Sequence, residues 1–421
     1  MKVLLVNKFL YPKGGAETYV FKLGEALKDN GHEVEYFGLE NEKNIVGNSA
    51  NAYAPDMDLT AGISENLLAP FKIIYSRQAR RQIKKVLESF KPDVVHLNNI
   101  QFYLTPSIIL EIEKYRKTVG KKVKIIYTAH DYQLVCPSHG LFDSNINVCE
   151  KCMTGNYMNC VKSRCMKNSL PKSILATADA YFWKLSTAYS YVDTIICPSY
   201  FLKSKLDTQP RFKEKTVVIH NFIEKREICS ANKGGYVLEF GHLSKDKGTL
   251  TLLEAARQMP EVKFVFAGFG KAVEEIEKVP NAEYAGFKTG EELNRLIANA
   301  TVTVCPSEWY ENCPYSVMES LLLGTPVVGA DIGGIPELIR PGETGELFES
   351  GNRTQLSDKL YSVIRNADYY TENCKSVEFE TPKTYYQKLF KIYGECHEDL
   401  RTRHRLHTDT CQGCGGNRKR G

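Results

Sequence analysis

A chain of 421 residues is too long for one ordinary hydrophobic core, so two domains are expected. With 43% apolar and 25% charged residues the composition is that of a soluble globular protein, and no apolar run approaches the roughly 18 residues of a membrane span. The net charge of +5 is small for this length: it admits an anionic ligand or membrane surface and does not demand a nucleic acid.

The start, MKVLLVNKFLYPKGG, is too short in apolar residues for a secretion signal and reads as the first strand of a fold. A cytoplasmic protein is therefore expected. Residues 2 to 6 form a continuous apolar strand of the kind buried in a parallel sheet. Gly14 and Gly15 open a loop, and a helix from Glu17 carries Val20, Leu23 and Leu27 on one face. A glycine pair at that point lets a ligand approach the backbone, and the helix start favours an anion. The pair does not make a GxGxxG fingerprint, so a dinucleotide is not indicated. Gly31 closes the helix before a strand at Val34 to Phe37. Residues 40 to 70 have no clear period and read as a long loop region. Helical spacing returns at Ile83, Val86, Leu87 and Phe90, surrounded by Lys72, Arg77, Arg80, Arg81, Lys84 and Lys85. Such a basic helix is either a solvated face or a peripheral contact with an anionic membrane. Strands at Val94 to Leu97 and Val123 to Ala129 place His96 and His130 near their carboxyl ends, where open α/β sheets bind ligands.

The stretch from 136 to 166 is a cysteine-rich insert. Cys149 and Cys152 form a C-x2-C pair, and Cys160 and Cys165 follow, with Cys136 as a substitute. In a chain without an export signal, four thiolates in a hydrophilic insert suggest a structural zinc site. Reduced cysteines in a loop are the alternative.

A helix from Tyr181 to Tyr191 leads to strands at Thr194 to Cys197 and Val217 to His220, followed by Asn221. The polar EKREICSANKGG, 224 to 235, has the composition of a linker. The βα rhythm then restarts with YVLEFG, HLSKDKG, KFVFAGFGK, TVTVCPS and TPVVGAD. Around residues 301 to 334 a strand, a turn and a helix carry two carboxylates. Glu311 sits before the helix and Glu319 inside it, about 12 Å further along at helical rise. Glu319 lies among Val317, Met318, Leu321, Leu322 and Leu323, where a carboxylate needs hydrogen-bond donors. Sugar hydroxyls would serve, and the helix start, with Pro314 near its first position, would attract a phosphate. The whole reads as two doubly wound, Rossmann-like α/β domains. The first spans 1–228, the second 229–375, with a closing helix at 376–398. The basic, glycine-rich tail 399–421 reads as disordered; His404, His407, Cys411 and Cys414 within it are a weaker metal candidate.

Together these segments resemble the retaining glycosyltransferases of family 4, with the GT-B fold, over nearly the whole chain. Glu311 and Glu319 have the spacing of the family's E-x7-E motif, with PS before it and LLLGTPVVG after it. Gly14 to Glu17 (GGAE) is similar to the family's glycine loop, and Gly241 to Gly248 (GHLSKDKG) to its donor loop. TAHDYQLVCP resembles the form found in enzymes of polysaccharide assembly. The resemblance implies that a nucleotide-diphosphate sugar binds between the domains. Glu319 would hold the ribose, and Glu311 the transferred sugar with the backbone of Asn312 and Cys313. Lys247 and Gly15 would meet the diphosphate, and His130 would take part in catalysis. Gly14, Asn221 and His242 complete the donor-binding set. Transfer would require no cofactor, and the acceptor would be a glycan or lipid-linked sugar held by the first domain.

Two departures stand out. His242 replaces the family's usual arginine, giving up a permanent bidentate charge. Asn312-Cys313-Pro314 replaces the commoner Gly-Phe-Gly. A sugar-nucleotide epimerase of the same fold, or a scaffold that kept the fold and the zinc but lost transfer, are the alternatives; DMD at 56 to 58 is not read as a metal motif.

Overall fold

The computed structural model describes residues 1–56, 73–120, 122–225 and 233–394. The expected tail, with its histidines and cysteines, lies outside the described residues, as do Lys72, most of the linker and two residues of the DMD triplet.

Two all-parallel six-stranded sheets organise the chain. The first contains β1 (Lys2–Val6), β2 (Glu33–Phe37), β3 (Val94–Leu97), β4 (Lys124–Thr128), β5 (Thr194–Cys197) and β6 (Thr216–Val218), in the order β2-β1-β3-β4-β5-β6. Its central strands are buried along their whole length, which is why they read as unbroken apolar runs rather than alternating ones. The second contains β7 (Tyr236–His242), β8 (Lys263–Phe269), β9 (Ala282–Gly286), β10 (Val302–Cys305), β11 (Val327–Ala330) and β12 (Gly345–Phe348), in the order β12-β11-β10-β7-β8-β9. Each sheet reverses its strand order once, between β1 and β3 and between β7 and β10. Ligands of open α/β sheets bind beyond the strand ends at such reversals. The loops after β1 and β3 therefore face those after β7 and β10; these loops carry the glycine pair, Lys247 and Glu311, and His242 ends β7.

Several boundaries move from expectation. The first helix begins at Gly15, with Gly14 as its cap, rather than at Glu17. Pro314 is the cap of the Tyr315–Leu322 helix and not its first residue. The helix expected at Tyr181 to Tyr191 is instead Leu170–Leu185, followed by a short 3-10 turn at Ala188–Tyr191. The closing helix, Pro382–Gly394, crosses back onto the first domain, burying Tyr385, Leu389 and Tyr393 against Tyr19, Val20 and Leu23. His96 belongs to this seam. It is fully buried between Thr128 Oγ1 and the Tyr393 hydroxyl, each at 2.7 Å, and does not reach the cleft.

Candidate active site

A cleft of about 810 Å³ separates the two sheets. Its walls hold Gly15, His130, Asn221, His242, Lys247, Glu311, Asn312, Cys313 and Glu319, the greater part of the residues expected from sequence. Gly14 is not among the lining residues; it caps the helix whose first two residues, Gly15 and Ala16, are. On the opposite wall the Tyr315–Leu322 helix presents Pro314, Tyr315 and Ser316 to the cleft. Two helix N-termini thus open on the same space, and their free N–H groups favour an anion there. They nearly touch: a side-chain carbon added at Gly15 would lie 3.7 Å from the Tyr315 ring.

The donor loop is pinned by glycine. Gly248 has φ +80°, and a Cβ there would stand 1.8 Å from the Pro306 carbonyl oxygen, so no other residue fits. This brings the preceding Lys247 over the cleft, where its ammonium meets Glu311 Oε1 at 2.5 Å and lies 4.3 Å above the Trp309 ring. His242 is exposed at the rim, 3.3 Å from Ser244 Oγ and beside the Phe269 ring. The Glu311 loop is shaped from below by Gly333 and Gly334. The Gly334 N–H donates to the Glu311 carbonyl at 2.7 Å, and Gly333 takes φ +64° with no room for a Cβ. The DIGG sequence carried that signal as a turn, but its target 22 residues upstream was not legible.

Asn312 bridges the domains: its Nδ2 donates to the His130 carbonyl at 2.7 Å. Asn221 does likewise to the Cys313 carbonyl at 3.1 Å. Cys313 contributes backbone only; its thiol is buried against Met318 sulfur, and burial pushes its pKa up to about 12. His130 Nε2 lies 2.9 Å from Asn98 Oδ1, while Asn98 Nδ2 donates to the carbonyls of Val6 and His96. Asn98 can therefore only accept from the imidazole, which leaves Nδ1 as the lone-pair nitrogen. Burial lowers the His130 pKa to about 3, so the ring is neutral at physiological pH. Glu319 projects from the middle of its helix into the cleft, half-buried beside Val317 and Met318.

Three contributors were missed. Glu239, on β7, lines the cleft while nearly fully buried; burial raises its pKa to about 8, and Thr249 donates to it at 2.8 Å. Nothing in YVLEFG marks it except an acid inside an apolar strand. The start of the cysteine-rich insert, Ser138, His139, Gly140 and Phe142, forms part of the wall. Trp309 and Tyr310 form another part, and Tyr310 ties the second domain to Glu150 of the insert at 2.7 Å. The buried polar atoms Glu239 Oε2, Trp309 Nε1, Asn312 Oδ1 and the Tyr315 hydroxyl belong to lining residues and have no hydrogen-bond partner among the described residues. A polar ligand would satisfy them.

The insert's cysteines gather near one another. Cys152, Cys160 and Cys165 pack around Tyr157, Cys160 and Cys165 hydrogen-bond each other, and Cys136 and the half-buried Cys149 are close enough to add to burial in raising the Cys152 pKa. Among the described residues no group of three or more His, Cys, Asp or Glu side chains is placed to hold a metal ion.

Residues 13–227 match the family model described as Glycosyltransferase Family 4, and residues 221–377 the one described as Glycosyl transferases group 1. An uncharacterized 42.6 kDa protein in the cps region of Klebsiella pneumoniae is 24% identical over 363 residues, 81% of this chain and 88% of that one. The N-acetyl-alpha-D-glucosaminyl L-malate synthase of Bacillus anthracis is 22% identical over 386 residues, 86% and 87% of the two chains. Among solved structures, Anabaena Alr3699/HepE in complex with UDP superposes with a TM-score of 0.64 at 16% identity, covering 93% of this chain and 99% of that one. That likeness concerns the fold: two Rossmann-like domains facing a cleft, the GT-B architecture.

Proposed function

The chain belongs to glycosyltransferase family 4, and from that membership we propose that it moves a sugar from a nucleoside-diphosphate sugar, with retention, to a glycan or lipid-linked sugar acceptor. Glycosyl transfer is the activity of the family; the donor, the stereochemistry and the acceptor are our reading of the cleft. The Anabaena neighbour is described in complex with UDP and with UDP-glucose, which supports a uridine diphosphate donor.

The observation that carries the reading is Lys247, paired with Glu311, in a cleft on which two facing helix N-termini open. When the anomeric C1–O bond breaks, its electron pair goes to the terminal phosphate oxygen. Charge developing there is what the site must stabilise. The N–H groups at Gly15 and Tyr315 open on the cleft before any substrate arrives, and Lys247 joins them on leaving Glu311. Retention requires the acceptor hydroxyl to bond C1 on the face the diphosphate leaves. The departing phosphate oxygen is then the nearest base for the hydroxyl proton. Glu319 accepts hydrogen bonds from the ribose, and Glu311 from the transferred sugar once Lys247 turns to the phosphate. His130, neutral and locked by Asn98, offers Nδ1 to a sugar hydroxyl.

Thermal unfolding with UDP, GDP and ADP tests the donor half. A ligand at 100 times its dissociation constant adds about 2.7 kcal/mol, enough to read. We expect a shift with one nucleotide, lost in Glu319→Ala. A folded protein that responds to none of them removes the proposal. The anomeric configuration of the product, read by NMR, decides retention.

A further inference from the structure

The Leu170–Leu185 helix is turned inside out. Its inward face is Ser173, Ala176, Thr177, Asp179 and Trp183, with the polar groups satisfied locally. Ser173 Oγ accepts from the Met166 N–H at 3.1 Å, Thr177 donates to the Tyr157 carbonyl at 3.2 Å, and Asp179 accepts from Trp183 Nε1 at 3.0 Å. Its outward face carries Leu170, Ile174, Ala178, Phe182 and Leu185, with Ile174 52% and Leu185 84% exposed. At 100° per residue these positions fall within an arc of about 120°, and no charged residue lies inside it. A helix of a water-surrounded protein has the opposite arrangement.

Cations frame this face at both ends. Between residues 151 and 178 stand Lys151, Lys162, Arg164, Lys167 and Lys172, all exposed, and no Asp or Glu. At the other end Tyr75 stacks on Trp183 with ring centroids 6.0 Å apart and meets Phe182 edge-on. Trp183 Nε1 also reaches the Ile74 carbonyl at 3.1 Å. Tyr75 leads directly into the basic Arg77–Phe90 helix, where Arg77 and Arg81 are exposed and have no carboxylate partner among the described residues. Arg80 and Lys84 are paired with Glu111 and Glu88.

We propose that this apolar face with its flanking cations is where the protein lies on an anionic lipid surface. Apolar side chains would enter the acyl boundary while the cations meet headgroup phosphates, the division of labour of an interfacial helix. A second copy fits poorly, because either orientation of two such faces sets basic cluster against basic cluster. The same insert that precedes the helix forms part of the cleft wall through Ser138 to Phe142. A lipid-linked acceptor would thus be presented beside the site. The inference deepens the lipid-linked half of the proposed function and rests on it for its purpose, so binding is measured apart from transfer.

The test is co-sedimentation with vesicles of phosphatidylcholine and phosphatidylglycerol, two parts to one, and with phosphatidylcholine alone. We expect pelleting with the mixed vesicles only. Ile174→Ser with Leu185→Ser should weaken it about 100-fold, since each buried aliphatic side chain is worth about tenfold or more. Arg77→Gln with Arg81→Gln should weaken it roughly 25-fold, about fivefold per cation. All four positions are exposed, so both variants should keep the wild-type melting temperature and nucleotide-induced shift. A loss of that shift in every protein would sink the donor reading and leave the surface standing. The surface reading fails if the wild type ignores the mixed vesicles, if it binds both vesicle types equally, or if the serine variant pellets like the wild type. It fails equally if the wild type forms a dimer that the serine variant loses, which would assign the face to a second copy.

Discussion

Lys247 and Glu311, 64 residues apart and on loops after different strands, form an ion pair at 2.5 Å over the Trp309 ring. On the proposed reading, the cation that would meet a departing diphosphate is held by a carboxylate from the other loop. On that reading a substrate would draw Lys247 away and release Glu311 to accept sugar hydroxyls. Removing either partner should have opposite effects on nucleotide binding. Lys247→Ala should weaken UDP by about 10- to 100-fold, the worth of a hydrogen bond to a charged group. Glu311→Gln should bind UDP as well or better while transfer falls by a similar factor. Calorimetry with UDP and a transfer assay separate the two; equal weakening in both variants would refute the exchange.

Asn98 never lines the cleft, yet it fixes which nitrogen of His130 carries the proton. Asn98→Ala should lower kcat about five- to tenfold, about the worth of one hydrogen bond, and leave UDP affinity unchanged. An unaltered kcat would mean that the tautomer of His130 is irrelevant to transfer.

A Cβ on Gly333 would stand only 2.3 Å from the Glu311 carbonyl oxygen, and the residue takes φ +64°. Gly333→Ala should cost about 1–3 kcal/mol of stability from backbone strain. The motif loop must also shift, so UDP affinity should drop in the same variant. A melting temperature and a UDP titration like those of the wild type would show that the loop is free to move.

Four buried groups set an unusual pH profile. Burial holds His96 and His130 near a pKa of about 3, against 6.5 in the unfolded chain. The unfolded state then binds more protons between those values, and stability falls as pH drops through them. Asp179 and Glu239 act in the other sense. Burial raises them to about 7 and about 8, from 3.8 and 4.5, so stability falls as pH climbs through that window. Between pH 4.5 and 6.5 the two pairs cancel, two protons against two. Glu337, kept low by His220 and two backbone N–H groups despite burial, adds to the loss on the acid side. The melting temperature should be level from pH 4.5 to 6.5 and decline on both sides. In Glu239→Gln the alkaline decline should shrink. A wild-type curve that climbs steadily from pH 5 to 8 would contradict the assignment.

Much of the architecture was legible locally. Apolar runs of four to seven residues alternating with 3.6-period segments are enough to specify parallel sheets. A sheet reversal then places strand-end residues such as His130, Lys247 and Glu311 on one side of the molecule. These are short-range properties, carried by spacing along the chain. His96 shows where they stop: it ends a strand as His130 does, but the closing helix covers it with Tyr393. The identical local signal gave one cleft residue and one seam residue.

The two βα halves, the glycine loops and the pair of glutamates are written locally, because each depends on residues within about ten of one another. Long-range packing alone sets the bond from Asn312 to the His130 carbonyl 182 residues away, brings Glu239 and the insert to the cleft, and turns the Leu170–Leu185 helix so that it buries its hydroxyls and exposes Leu170, Ile174, Phe182 and Leu185. Which face of a helix is covered depends on what the rest of the chain brings against it, and that sum of distant contacts has no counterpart in local periodicity.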